Sequence, residues 1–161
     1  MSTTTTAAPV SRFTASAELE ANLQRVLVDL TALHLLGKQA HWNVVGAGFR
    51  ALHLQLDEIV EYARTQADDV AERMRALQVV PDGRPDVVAA TTSLPAGKPG
   101  EVDAADVVAS FTELLYAVVS TVRGVRTAVD QEDPTTAGLL DGIIISLEKQ
   151  AWMLSAGART V

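Results

Sequence analysis

The sequence predicts an all-α fold: four long helices packed as a bundle, with a long crossover between the second and third that carries a short extra helix. Three observations lead there. Four stretches repeat apolar residues at spacings of three and four, the period of a helix that buries one face. The 161 residues are 48% hydrophobic yet only 4% aromatic, which suits one domain with a helical core better than a sheet sandwich. Residues 79–101, rich in Pro, Gly, Thr and Ser, are too many for a tight link between neighbouring helices and enough to return the chain to the opposite end of a bundle.

Each element has its own signal. The first helix is expected over residues 17–43, with Ser16 as N-cap and Leu19, Leu23, Val26, Leu30, Leu33 and Gly37 down one face. The second, over 49–77, contains neither Pro nor Gly and alternates apolar with charged residues throughout. The short apolar piece 85–90 is the candidate for the extra helix. The third, over 103–130, repeats Val107, Phe111, Leu114, Val118, Val122 and Val125. The fourth starts with Asp133 as N-cap and Pro134 at the first helical position, then runs through Leu140, Ile144, Leu147 and Ala151 to about residue 156. The bundle thus spans 16–157, flanked by a disordered tail over 1–15 and a short tail over 158–161.

The second helix carries the chemistry. Taking His53 as zero and turning 100° per residue, Asp57 falls near about 40°, Asp68 near about 60° and Glu72 near about 100°, one stripe roughly a quarter-turn wide. Along the axis, however, Asp57 and Asp68 stand about 16 Å apart, whereas metal–ligand bonds are roughly 2.0–2.5 Å long. One chain cannot close these residues around one ion. Two copies running antiparallel about a two-fold axis near Tyr62 and Ala63 would bring His53 and Asp57 of one against Asp68 and Glu72 of the other, giving two identical sites about 22 Å apart. His41, at the end of the first helix, can complete the first half-site. Two imidazoles with three carboxylates suit iron, and zinc, manganese or cobalt would also bind. Carboxylates at i, i+4 ordinarily mark a solvated face. Here two of only three histidines join them, and acids facing a helix partner would repel unless a cation lay between.

These residues carry a resemblance. KQAHWNVVGAGFRALHLQLDEI, the D-x-x-x-E of Asp68 and Glu72 followed by Arg73, and EKQAWML near the C-terminus resemble the Dps family, the dodecameric miniferritins named for a DNA-binding protein from starved cells. The similarity covers about residues 30–154. It implies a ferritin-like bundle, an inter-subunit ferroxidase centre at His41, His53, Asp57, Asp68 and Glu72, oxidation of Fe(II) preferably by hydrogen peroxide, and ferric mineral stored in a hollow shell. It also implies that the short helix in the crossover sits at the dimer interface. Paired Glu-x-x-His motifs, the mark of a di-iron site inside one bundle, are absent.

Several classes are excluded or demoted. With no cysteine there is no disulfide framework, thiolate metal site or cysteine nucleophile. The N-terminus lacks a basic region followed by an apolar core and no run approaches transmembrane length, so a soluble cytoplasmic protein is expected. Family members that condense DNA do so through tails rich in Lys and Arg; here the tails offer Arg12 and Arg159. A formal charge of −7 per chain gives −84 for twelve copies, so direct DNA binding is expected to be weak or absent. A nucleoid protein whose metal sites merely staple the dimer is the alternative to the iron oxidase, and the basic tails it needs are missing.

Other residues have assigned expectations. Trp42, beside His41, is a candidate electron donor to peroxide and equally an aromatic anchor for a partner. Trp152 is expected in the core, and His34 to be packed or interfacial rather than a ligand. Lys38, one turn before His41, pairs with a site carboxylate such as Asp57 or stands solvated. Where the family places pore acids after D-P-x-T, this chain has Ala137 and Gly138, leaving Glu132, Asp133 and Asp141 to supply negative potential.

Overall fold

A computed structural model describes residues 12–157. Within them lie α1 (Ala17–Asn43), α2 (Phe49–Ala76), α3 (Pro85–Thr91), α4 (Ala104–Glu132) and α5 (Pro134–Ala156), with two-residue strands β1 (Val44–Val45) and β2 (Val102–Asp103). The expected all-α, ferritin-like bundle with a crossover helix is the fold observed. The expected tail over 1–15 falls mostly outside the described residues, and that over 158–161 wholly so.

Local chemistry sets the boundaries. Ser16 Oγ accepts from the Leu19 amide at 3.1 Å, satisfying one of the first-turn donors of α1. Its own N–H and hydroxyl donate to the Glu132 carboxylate at 2.8 and 2.6 Å, tying the start of α1 to the end of α4. Asp103, expected inside the third helix, instead caps it, accepting from the Ala105 amide at 2.9 Å. Asp133 stands at the cap position of α5, with Pro134 in the first turn, but makes no side-chain cap bond.

The crossover can be followed along α1. The Ala15 amide donates to the Leu77 carbonyl at 3.1 Å, Gln24 Nε2 to the Asp82 carbonyl at 2.7 Å, and Thr92 Oγ1 to Asp29 Oδ1 at 2.9 Å. These anchors climb α1 from its first turn upward. β2 then pairs in parallel with β1, Val44 opposite Val102, so α4 begins at the end of the bundle where α2 began. Sequence periodicity gave no sign of this two-residue ladder.

Asp29 fixes the climb. It is 2% exposed inside the apolar run of α1 and accepts from Thr92 Oγ1, the Ser93 amide at 2.8 Å, Ser93 Oγ at 2.6 Å and Thr121 Oγ1 at 2.7 Å. A buried carboxylate without a cation survives because neutral donors fill its lone pairs, and here they come from both the crossover and α4.

The core is aliphatic, drawn from all four long helices around Phe111, which is 1% exposed. α4 is long and apolar enough to cross a membrane by length and composition, with mean hydropathy 1.4 over its best window, contrary to the expectation from sequence. It packs against α1 and α5 as a bundle helix and is tied to α5 by ion pairs from Arg123 and Arg126.

Candidate metal centre

The site begins with a close helix approach. At Gly37 of α1 an added Cβ would stand 2.6 Å from Val60 Cγ2 of α2 and 3.3 Å from Phe111 Cζ, so only glycine lets the two helices pack at this distance. Less than two turns further on, α1 ends, and the chain reverses through 44–48, where Gly46 takes φ 96° and Gly48 φ 79°. The last turn of α1 and the first turns of α2 therefore lie side by side, which places His41 against His53.

The two imidazoles hold each other. His41 Nδ1 lies 2.9 Å from the His53 carbonyl oxygen, and His53 Nδ1 lies 2.9 Å from the His41 carbonyl oxygen. A carbonyl can only accept, so each Nδ1 carries the hydrogen and each Nε2 keeps its lone pair for a metal. The rings stack with centroids 3.6 Å apart and planes 22° from parallel. His41 is buried at 6% exposure, and His53 is half-buried.

Asp57, one turn beyond His53, completes the cluster: one donor atom from each of His41, His53 and Asp57 lies within 4.8 Å of the others. Its Oδ1 takes a hydrogen bond from Lys38 Nζ at 2.6 Å and stands 3.4 Å from His41 Nδ1. Lys38 is thus paired rather than free. That hydrogen bond, above all, holds the Asp57 carboxyl below the usual carboxylate range, with the Lys38 charge adding to it against desolvation. The carboxylate is kept anionic, and together with the two imidazoles it gives a three-donor N/O set.

Asp68 and Glu72 do not join this cluster within one chain. Both are exposed on α2, and neither makes a hydrogen bond or ion pair among the described residues. Asp68 borders an open depression lined also by Leu27, Arg64, Thr65, Ala67 and Ala71. Adjacent Arg73 is committed elsewhere: its Nη2 donates to Asp133 Oδ2 at 2.6 Å and its Nε to Thr136 Oγ1 at 2.8 Å, joining α2 to α5. Burial pushes the Asp133 carboxyl up; the Thr136 hydroxyl and the Arg73 guanidinium overcome that and hold it below its usual range.

The ferritin-like domain family matches residues 20–160. DNA protection during starvation protein 2 of Bacillus anthracis is 30% identical over 134 residues, spanning 83% of this chain and 92% of that one. The chain belongs to the Dps family. Among other Dps proteins, DNA protection during starvation protein 2 of Deinococcus radiodurans is 38% identical over 134 residues, 83% of this chain. This chain spans 56% of that relative's length, so the relative is substantially longer. Among solved structures, Dps from Microbacterium arborescens in the high iron form superposes with TM-score 0.83 at 32% identity, covering 91% of this chain and 98% of that one.

Other expectations for this Dps chain fare differently. Trp42 is 68% exposed beside the buried His41. Trp152, expected in the core, is 59% exposed: it shares the outer face of α5 with Ile145, seven residues earlier and 68% exposed. His34 is half-buried on α1 beside Glu61 and Arg64, and burial first, then the Arg64 charge, holds its imidazole below the usual range. The three acids expected to supply negative potential are all engaged: Glu132 by Ser16, Asp133 by Arg73 and Asp141 by Arg126. Ala137 is fully buried, so an acid at that position would face the core rather than a pore. The Asp29 network was missed from sequence; its one signal is an acid inside the run VLVDL.

Proposed function

We propose that this protein oxidises Fe(II) and stores the ferric product inside a homo-oligomeric shell, a dodecamer built from two-fold dimers. The observation that carries it is the incomplete site: His41, His53 and Asp57 converge, while Asp68 and Glu72 share their stripe of α2 yet lie too far along the helix to reach the same ion. A second copy of α2, antiparallel, supplies them. The Dps relatives and the high iron form of one of them support the choice of iron as substrate. The same donor set would hold zinc or another divalent ion.

Hydrogen peroxide is the preferred oxidant in this reading. Two Fe(II) ions each give one electron, the O–O bond of peroxide breaks, and hydrolysis of the two Fe(III) ions with water yields ferric oxyhydroxide and four protons. The protein's part is to hold Fe(II) with two neutral nitrogens and three carboxylates, whose charge favours the ferric state, the incoming ion displacing Lys38 from Asp57. Trp42, next to His41, supplies an electron when peroxide meets a singly loaded site and anchors the partner chain. The formal charge of −7 per chain leaves direct DNA binding weak, and protection follows from removing Fe(II) and peroxide together. The soluble shell is placed in the cytoplasm.

The test is a stoichiometric Fe(II) titration with peroxide, followed by ferric absorbance, on the wild type and on His53→Ala with Asp57→Ala. Oxidation should fall by at least about 100-fold in the double variant; an unchanged rate would remove the centre. A mobility-shift titration at low salt without Mg²⁺ should show no tight retardation.

A further inference from the structure

The antiparallel pairing of α2 makes a demand at its centre that the metal ligands do not meet. His53 and Glu72 are equidistant from the point between Tyr62 and Ala63, and so are Asp57 and Asp68. The next pair inward on the same stripe is Glu61 and Arg64, again equidistant from that point. With His53 at zero they fall near about 80° and about 20°, inside the arc occupied by the ligands. Tyr62 and Ala63 themselves turn away: Ala63 is fully buried, and the Tyr62 hydroxyl donates to the Gly142 carbonyl of α5 at 3.2 Å. The two-fold axis is therefore approached by Glu61 and Arg64.

Within one chain these two already touch, Arg64 Nη2 donating to Glu61 Oε1 at 2.6 Å and Nε to Oε2 at 3.2 Å. Both side chains remain about 60% exposed, at 60% for Arg64 and 63% for Glu61. Exposed apolar groups continue the surface: Leu35 (54%) and Trp42 (68%), seven residues apart on α1, and Leu54 (49%) on α2. A second copy laid along these two helices would cover them.

Resting on the antiparallel reading above, we propose that Glu61 and Arg64 lock the register of the homodimer. Each Glu61 lies against the partner's Arg64 across the axis, closing the two intrachain pairs into a neutral ring of four charges. The occupant of this face is a second copy of this chain, because the charge order is complementary to itself when reversed. A slip of one helical turn in one direction would set Glu61 against the partner's Asp68 and Asp57 against the partner's Glu72, both repulsive. The opposite slip sets Glu61 against the partner's Val60 and Arg64 against the partner's Asp57. The ring of four is then broken, both Glu61 carboxylates lose the partner's cation, and the guanidinium lies on a proposed metal ligand. The lock therefore excludes one slip by repulsion and disfavours the other by loss of the ring, favouring the register in which the two half-sites meet, and it makes Glu61 and Arg64 positioning residues for metal binding without touching the metal.

The test uses full-length chains without metal and reads the concentration of half-dissociation in a dilution series by light scattering. Arg64→Glu makes both positions acidic and Glu61→Arg makes both basic; each variant alone should dissociate at about tenfold higher concentration than the parent. Co-expressed, the two variants oppose unlike charges across the axis although neither has an intrachain pair. Their mixture should return to within about twofold of the parent, and the difference should shrink in high salt. Circular dichroism checks that every variant is folded, as exposed positions should permit. Unchanged dissociation in the single variants would overturn the lock. So would a mixture as weak as its components, since that outcome assigns the pair to a role within one chain. A parent that stays monomeric throughout would overturn the antiparallel pairing as well, whereas failure of the lock alone leaves the metal centre standing.

Discussion

The two ends of the ligand stripe on α2 are built differently. At the N-terminal end His53 and Asp57 are held in place: His53 is bonded reciprocally to His41, and Asp57 is bonded to Lys38. At the C-terminal end Asp68 and Glu72 are exposed and unengaged among the described residues. Under the proposed shared centre, a single chain organises one half-site through its own fold and leaves the other half as two carboxylates unengaged among the described residues. The difference separates residues whose geometry is prepaid by folding from residues whose geometry awaits assembly, and the two classes should respond differently to mutation.

The largest effect tests that separation. Asp68→Ala with Glu72→Ala should lower Fe(II) oxidation by at least about 100-fold while leaving the thermal unfolding midpoint of the chain unchanged, because neither side chain has a partner to lose. His41→Ala should match that loss of activity and also destabilise the fold by about 2 kcal/mol, since it removes a buried ring and its hydrogen bond to the His53 carbonyl oxygen. If both variants destabilised alike, the contrast between the ends would dissolve.

Gly37→Val comes next. Overpacking against Val60 and Phe111 should cost about 1–3 kcal/mol and, by parting α1 from α2, weaken Zn(II) or Co(II) binding measured by titration. Asp133→Asn tests the anchor that occupies Arg73. The folded-state pKa of Asp133 is depressed, so its stabilisation is present above the ordinary carboxylate range and is lost as pH falls through the folded value. The variant should be about 1–2 kcal/mol less stable than the parent in urea at neutral pH, with the gap closing on strong acidification. The smallest effect is expected from Lys38→Met. Its ammonium competes with an incoming ion for Asp57 Oδ1, so removal should tighten divalent-metal binding by about threefold.

Much of this was legible in sequence because helical period and end signals are local. Ser16 and Pro134 mark the starts of α1 and α5, and the uninterrupted run without Pro or Gly gives α2 to within one residue. The convergence of His41 with His53 was legible only as a possibility. Its cause, the contact at Gly37 and the reversal through Gly46 and Gly48, depends on tertiary packing. The Asp29 network was not legible, since its donors lie more than sixty residues away in sequence. Trp152 shows a further limit: the apolar period identifies a face but does not say whether the bundle or another chain covers it. The membrane comparison fails for the same reason, because α4 is apolar enough to span a bilayer and is used instead as a bundle helix.

The central claim is that one catalytic centre takes residues from two chains, and complementation tests it directly. One chain carries His53→Ala with Asp57→Ala, the other Asp68→Ala with Glu72→Ala, and each alone should be inactive in peroxide-driven Fe(II) oxidation. Co-expressed in equal amounts with random pairing, half of the dimers are mixed, and each mixed dimer regains one intact centre of two. Activity should therefore return to about a quarter of the wild-type value per chain. Activity no higher than that of either variant alone would contradict the shared site.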